Sequence, residues 1–379
     1  MGEPTASARS LNLAQTVTAA ECALADGKTL PFSLISNPDI HSIDLNAIFK
    51  KSWQAVCPEV SVRNPGSIHL CKLGDVPIVL TRDQDGTLRG FVNVCRHRGY
   101  PVAQKDGLMR RLTCRYHGWT YRLDGTVHSV PEASQAELAN YKCLSLVPIS
   151  VESWRGCIFA HLNPEASCLT ASFDGLEDIA DDCAFQLSDY RWLRRLDLDI
   201  PSNWKLVYDN VVECYHCPAM HARTLNTLYE ASGFDDISWQ GRIRKVSARL
   251  KQADELHHTI QLFPGTYLVM DPMVGIVGRF YPSGPATTKL EFHFLAAPGA
   301  SDEDAGHYAE MWCQTMHEDG EILAAQRPGV TAGLLDHGYL LAGPESSVIG
   351  VQQLILEAYR AALAAPDHST DGDGHAAIA

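Results

Sequence analysis

Apolar and polar positions change rhythm along the chain. The first thirty or so residues are small and mixed, with no clear period, and read as a loosely attached arm. From about Ile68 short β-branched runs alternate with turns. Pro77-Ile78-Val79-Leu80-Thr81 is one such run, Asp83-Gln84-Asp85-Gly86 a turn, and Leu88 to Val94 the next strand. Leu123-Asp124-Gly125-Thr126 is a further hairpin turn. Beyond, the period lengthens. Asp174 to Tyr190 has helical spacing, as does Asn203 to His216, with Trp204, Val207, Val211 and Val212 as its apolar set. Four strand-like runs follow between Trp239 and Ala297, then long helices over Asp302 to Gln326 and Glu345 to Leu363. This order predicts an α+β chain: a small all-β domain before a larger one with an antiparallel sheet flanked by helices. The expected divisions are an arm and helix over 1–49, the small domain over 50–165, the larger over 166–365 and a disordered, Gly/Asp-rich tail over 366–379.

Composition narrows the classes. The chain has 379 residues, 45% hydrophobic and 20% charged, which excludes a disordered or fibrous chain and allows about two domains. A formal net charge of −14 argues against a general nucleic-acid binder. No apolar run reaches the roughly 18 residues of a membrane span; the best, Leu262 to Phe280, is broken by Pro264, Asp271 and Pro272. No secretory signal opens the chain, and its 12 cysteines do not form a dense disulfide pattern. A reduced, cytoplasmic compartment with some cysteines as metal ligands is expected.

The sharpest spacing is Cys95-Arg96-His97, sixteen residues, then Cys114-Arg115-Tyr116-His117. Each of two loops offers one Cys and one His. A mixed zinc site is one reading, although zinc knuckles mostly open on a Cys-x2-Cys pair. The other is a [2Fe-2S] cluster in which two His replace two Cys on one iron. Gly99 and Gly118, each just after a ligand position, let backbone approach sulfide, and Trp119 can shield the cluster. Those flanks favour iron–sulfur.

A second constellation runs from Asn203-Trp204-Lys205 through Asp209-Asn210 to Glu213-Cys214-Tyr215-His216 and His221. Five residues turn an ideal helix by about 500°, so the two His would not share a face unless the helix broke. Pro218 is expected to stop it just after His216 and let His221 fold back. A redox role for the Cys214 and Cys217 pair lacks the strand–turn–helix setting it needs. Two His plus one carboxylate suit non-haem iron that activates oxygen, with the carboxylate drawn from elsewhere, such as the late Glu318-Asp319 pair.

Taken together, Cys-x-His-Arg-Gly, Cys-x-Tyr-His-Gly-Trp and Asn-Trp-Lys…Glu-x-Tyr-His-x4-His resemble the catalytic α subunits of Rieske non-haem iron oxygenases, from about Trp53 to the last helix. The resemblance implies cluster ligands Cys95, His97, Cys114 and His117, and mononuclear iron ligands His216, His221 and Asp319. It implies that Glu213 bridges the two centres across a subunit contact of a homotrimer, with Asn210 taken beside it as catalytic. A separate NAD(P)H-dependent reductase is implied too, since no nicotinamide or flavin motif is present. Glu-Cys-Tyr-His-Cys is similar to the branch acting on quaternary ammonium compounds, although Pro218-Ala219-Met220 and Pro328 depart from its pattern. The implied reaction is oxygen-dependent hydroxylation or oxidative demethylation of a small quaternary ammonium compound; the alternative is aromatic ring hydroxylation. Phe263, Tyr267, Phe280, Tyr281, Phe292 and Trp312 would offer faces to a cation, or an apolar lining to an aromatic ring.

Overall fold

The computed structural model describes residues 12–140, 144–229, 236–251 and 255–364. The predicted tail lies outside them. Among the described residues no helix is long and apolar enough to cross a membrane.

The N-terminal part forms two antiparallel sheets. A seven-stranded sheet runs, edge to edge, through Gln54–Pro58, Cys157–His161, Pro148–Trp154, Leu88–Val92, Val76–Arg82, Ser67–Leu73 and Gly107–Leu108. A three-stranded sheet pairs Leu112–Thr113, Thr120–Tyr121 and Val127–Ser129. The Thr81 hydroxyl donates to the Leu123 carbonyl at 2.7 Å and ties one sheet to the other. One short helix, Gln135–Asn140, interrupts the otherwise all-β region. Ser134 and Glu137 form a reciprocal cap at its start, a signal the turn-rich reading overlooks.

The larger part is a second seven-stranded antiparallel sheet. Six strands meander in order, Asp236–Gln240, Ile243–Arg249, Leu256–Leu262, Thr266–Met270, Val274–Gly284 and Thr287–Ala296; Arg191–Ile200 pairs with the last. The expected four runs are thus six strands, and Arg191–Ile200, where Leu196-Asp197-Leu198-Asp199-Ile200 alternates apolar and polar, adds a seventh ahead of that stretch. The helix Asp302–Thr331 crosses this sheet, capped by the Ser301 hydroxyl, which accepts from the Asp304 amide at 3.0 Å. It outruns its expected end at Gln326, since Pro328 sits in the last turns and removes a single amide donor.

The first thirty residues include a helix, Leu13–Ala25, whose Val17, Ala20 and Leu24 are buried at helical spacing beside the final helix Ser346–Ala364, so this part is firmly rather than loosely attached. Three further expectations are corrected. The predicted helix over Asp174–Tyr190 stops at Asp182, where Ala184 turns to positive φ. The helix after Asn203 ends at Val211, so Glu213 to His216 lie on a turn. Pro218 then sits in the first turn of a new short helix, Cys217–Met220: it starts a helix rather than ending one, because an early position needs no amide donor.

Asn203-Trp204-Lys205 proves to be an anchor. The Asn203 side chain accepts from the Lys205 amide at 3.0 Å, which caps the helix. Trp204 Nε1 donates to Asp44 Oδ2 at 2.8 Å, Tyr359 donates to Oδ1 at 2.5 Å, and the Lys205 ammonium pairs with the same carboxylate. Asp44 and Lys205 both have 0% exposure, so one buried acid joins the arm, this helix and the last helix.

The two sheets share a core in which Trp53, Trp154 and Phe159 pack with Ile260, Leu262 and Val277. Gly156, at φ 84° in the hairpin between Trp154 and Cys157, allows this approach: a Cβ there would lie 2.4 Å from the Ser188 amide. Arg279 Nη1 donates to the Lys72 carbonyl at 2.6 Å while its other nitrogens hold Glu291 at 2.5 and 2.8 Å. A charge-assisted clamp therefore fixes the units against each other.

Candidate functional site

Two loops at the tip of the small domain bring Cys95, His97, Cys114 and His117 together. They are built alike. The Cys95 amide donates to Tyr100 O and the Gly99 amide to Cys95 O, at 2.8 and 3.0 Å; Cys114 and Gly118 repeat this with Trp119 O and Cys114 O at 2.8 and 2.9 Å. Gly99 and Gly118 hold φ of 75° and 74°, the left-handed conformation that closes each loop. Asn93, buried at the root of the first loop, accepts from the Val102 and Ala103 amides at 3.0 Å each.

The donor set is sorted by depth. Both cysteines are buried, with their thiols in hydrogen-bond contact, and burial pushes the Cys114 thiol up. Both histidines are exposed, their rings 4.7 Å apart. The Trp119 ring stacks on His97 at 5.0 Å and Tyr116 on His117 at 3.9 Å. Two thiols inward and two imidazoles outward are what a cluster with one Cys-bound and one His-bound iron requires. Tyr121, missed in the sequence, lies behind it. Its hydroxyl stands 3.3 Å from Cys95 Sγ and accepts from the Arg96 amide at 3.1 Å.

The second constellation closes around three atoms. His216 Nε2 and His221 Nε2 are 3.2 Å apart, and Asp319 Oδ1 lies 3.3 and 3.1 Å from them. Three donors at the corners of a near-equilateral triangle match one face of an octahedral ion, the two-His-one-carboxylate arrangement. Asp319 reaches it from the long helix, where it is the acid within the buried stripe Ala305, Ala309, Trp312, Met316, Asp319, Leu323. The thiol of Cys217 lies within 4.8 Å of both His rings, a further donor beside the triangle.

The tautomers suit an ion. Glu213 Oε1 pairs with His216 Nδ1, while Oε2 accepts from the amides of Tyr215 and His216. Glu318 Oε2 lies 2.8 Å from His221 Nδ1 and accepts from the Thr224 hydroxyl at 2.6 Å. Each Nδ1 proton is thus held by a carboxylate, which turns the Nε2 lone pairs inward. Glu318 and Thr224 escaped the sequence reading, which weighed Glu318 only as a rival to Asp319. Asn210 Nδ2 lies 3.4 Å from His216 Nε2 and 3.3 Å from Asp319 Oδ1, at the rim of the triangle.

Electrostatics agree. Burial opposes charge on His216, but Asp319 and Glu213 outweigh it and hold the imidazolium up to about 10. Burial likewise raises Asp319, and the two His overcome it to bring that carboxyl below its usual range. A dication at the triangle would compete with a proton there, since metal ligands must be deprotonated.

A cavity opens over the triangle. Tyr267, Phe292, Trp312, Leu225 and Met316 wall it, and Arg244 reaches it from the strand Ile243–Arg249. Of the six aromatics singled out in the sequence, these three line it. Phe263 and Phe280 pack on Tyr208 instead, and Tyr281 donates to Glu291.

Known proteins match these features. Residues 52–147 match the model of the Rieske [2Fe-2S] domain, and 187–255 with 238–361 match the catalytic domain of ring-hydroxylating α subunits. The carnitine monooxygenase oxygenase subunit of Acinetobacter baumannii is 30% identical over 51% of this chain and 52% of its own. The glycine betaine monooxygenase oxygenase subunit of Chromohalobacter salexigens is 28% identical over 69% of this chain and 60% of its own. The match thus spans about half the length of the first relative. A solved quaternary ammonium Rieske monooxygenase, described as oxidising carnitine with inter-subunit electron transfer, superposes with a TM-score of 0.79 at 22% identity, over 89% of this chain and 98% of its own.

Proposed function

The chain belongs to the family of Rieske non-haem iron oxygenase α subunits, and on that premise we propose that it hydroxylates or oxidatively demethylates a quaternary ammonium compound by monooxygenation. The observation that carries this is the triangle of His216, His221 and Asp319 beneath an aromatic cavity. Cys95, Cys114, His97 and His117 would hold the cluster, and His216, His221 and Asp319 the mononuclear iron. When bound, these groups supply one-electron transfer and dioxygen activation.

The chain's own residues prepare the chemistry. Glu213 and Glu318 fix the tautomers of His216 and His221 and the pitch of their rings. Tyr267, Phe292 and Trp312 present π faces to a quaternary ammonium group, while Leu225 and Met316 exclude water around it. Asn210 closes the rim between His216 and Asp319, next to Glu213.

Electrons come, in this reading, from a separate NAD(P)H-dependent reductase, and the working unit is a homotrimer in which the cluster of one subunit serves the iron of the next. The exposed imidazole edge supports this, flanked by Tyr100 and Tyr116, as do Tyr215 and Met220 exposed beside the iron triangle. Glu213, already on His216, is the group we place between His216 and His117 of the partner subunit. We place the protein in the cytoplasm, which suits a cluster held by thiolates and the free state of every described cysteine.

The test is oxygen uptake with a reductase across glycine betaine, carnitine, choline and benzoate, with formaldehyde or a released amine as product. Uptake stimulated by at least one of the first three and not by benzoate is expected. Stimulation by the aromatic acid alone overturns the proposal in favour of ring hydroxylation.

A further inference from the structure

Three lysine or arginine side chains are buried among the described residues: Lys205, Arg244 and Arg279. Two of them sit on a carboxylate, Lys205 on Asp44 and Arg279 on Glu291. Arg244 does not. It is 4% exposed, and its hydrogen-bond partners are neutral: Ser347 Oγ at 3.0 Å from Nε and Gln261 Oε1 at 2.9 Å from Nη1. The groups that favour its charge are led by the Cys214 thiol, followed by Tyr267 and Tyr208; the one carboxylate among them, Glu213, comes last and is occupied by His216 and two amides. A buried charge with no counter-ion is costly, and burial indeed lowers the affinity of Arg244 for its proton. The guanidinium lines the same cavity as the iron triangle and the aromatic wall.

We propose that Arg244 is the anion subsite of the substrate cavity and that the substrate is a zwitterion, with a carboxylate on Arg244 and a quaternary ammonium group on the aromatic wall. This rests on the quaternary-ammonium reading above and narrows it. Tyr267 stands 5.7 Å from Phe292 and 6.4 Å from Trp312, ring centre to ring centre, so the three faces form one surface for the cation. Gln261 and Ser347 fix the fork, with Gln261 in turn held by the Val211 carbonyl at 3.0 Å. That preorganisation suits bidentate capture of a carboxylate. A cation lacking the carboxylate gains nothing at Arg244 and meets like charge, so attraction and repulsion both select the zwitterion.

The experiment is calorimetric binding to anaerobic holoenzyme of glycine betaine, carnitine, choline and benzoate, for the native protein, Arg244→Gln and Arg244→Lys. Cluster absorption and iron content verify that each variant is intact; should Arg244→Gln not fold, Arg244→Lys carries the comparison. Native protein should bind the better zwitterion at least ~10-fold more tightly than choline, and Arg244→Gln should shrink that ratio by about tenfold or more. The lysine variant should fall between, because it keeps the charge and loses the fork. Choline binding as tightly as both zwitterions, or a ratio untouched by the substitutions, overturns the inference and leaves the quaternary-ammonium reading standing. Binding of benzoate with none of the three cations overturns both.

Discussion

The two proposed centres bring imidazole together with a charged side chain in opposite ways. The cluster loops lie within 23 residues of one another, from Cys95 to His117, and repeat one backbone pattern twice. Their imidazoles face outward with no carboxylate bonded to either ring among the described residues. The mononuclear triangle draws on residues 103 positions apart, His216 to Asp319, is mostly buried, and backs each imidazole with an acid. The difference is between a site closed by local turns and one closed by tertiary packing. The first stays outward and available for electron exchange; the second is insulated and tuned by its surroundings.

That contrast can be broken from the buried side first. Asp319→Ala should abolish turnover and lower iron from about three atoms per chain to about two, the cluster keeping its pair. Metal analysis beside the visible spectrum checks it, and unchanged iron would remove Asp319 from the ligand set. Glu213→Gln should keep both metals and still lose roughly 100-fold in turnover, because it loosens His216 and breaks the proposed path to the partner subunit. Single-turnover reduction of the cluster, followed by slow oxidation, would reveal the interrupted transfer.

Glu318→Gln tests the same support at the other imidazole and should weaken iron binding by roughly 10-fold, read by competition with a chelator. On the cluster side the effects are smaller. Tyr121→Phe deletes one hydrogen bond to Cys95, about 1 kcal/mol, which is roughly 40 mV for one electron. The reduction potential should fall, since a donor to sulfur stabilises the reduced state. The joint between the regions bears on stability alone. Burial raises the Glu291 carboxyl, but Arg279 outweighs it and holds it at about 2, from an ordinary 4.5. A depressed carboxyl contributes stability above its unfolded value, and that stability is lost as pH falls from about 4.5 towards 2. Glu291→Gln should cost about 1–3 kcal/mol at pH 7 and little at pH 2.5, seen as a melting-temperature difference that closes on acidification.

What could be read in advance follows the same division. The four residues proposed for the cluster were legible as a group because 23 residues carry both loops and their glycines. His216 and His221 were legible as a pair, yet the turn that joins them was misread, since Pro218 serves a helix start as well as a helix stop. Asp319 came only from resemblance, although its place in the stripe from Ala305 to Leu323 was there to be counted. Glu318, Thr224, Tyr121 and Arg244 were not legible. Each acts through a partner far away in sequence, and an acid or a basic residue in isolation is usually just solvated. The firm attachment of the arm was not legible for a similar reason: alanines at Ala20 and Ala23 hide a helical face that only packing against the final helix reveals.

Asp44 has one more thing to say, about descent. It serves Trp204, Lys205 and Tyr359 at once in the buried interior. Losing the acid alone strands an ammonium in the interior, and losing the ammonium alone strands the acid, each at a cost of about 3–5 kcal/mol. Neutral drift through either single exchange is therefore blocked. Positions 44 and 205 are bound to a shared history, changing in one step or standing still while the surfaces around them wander.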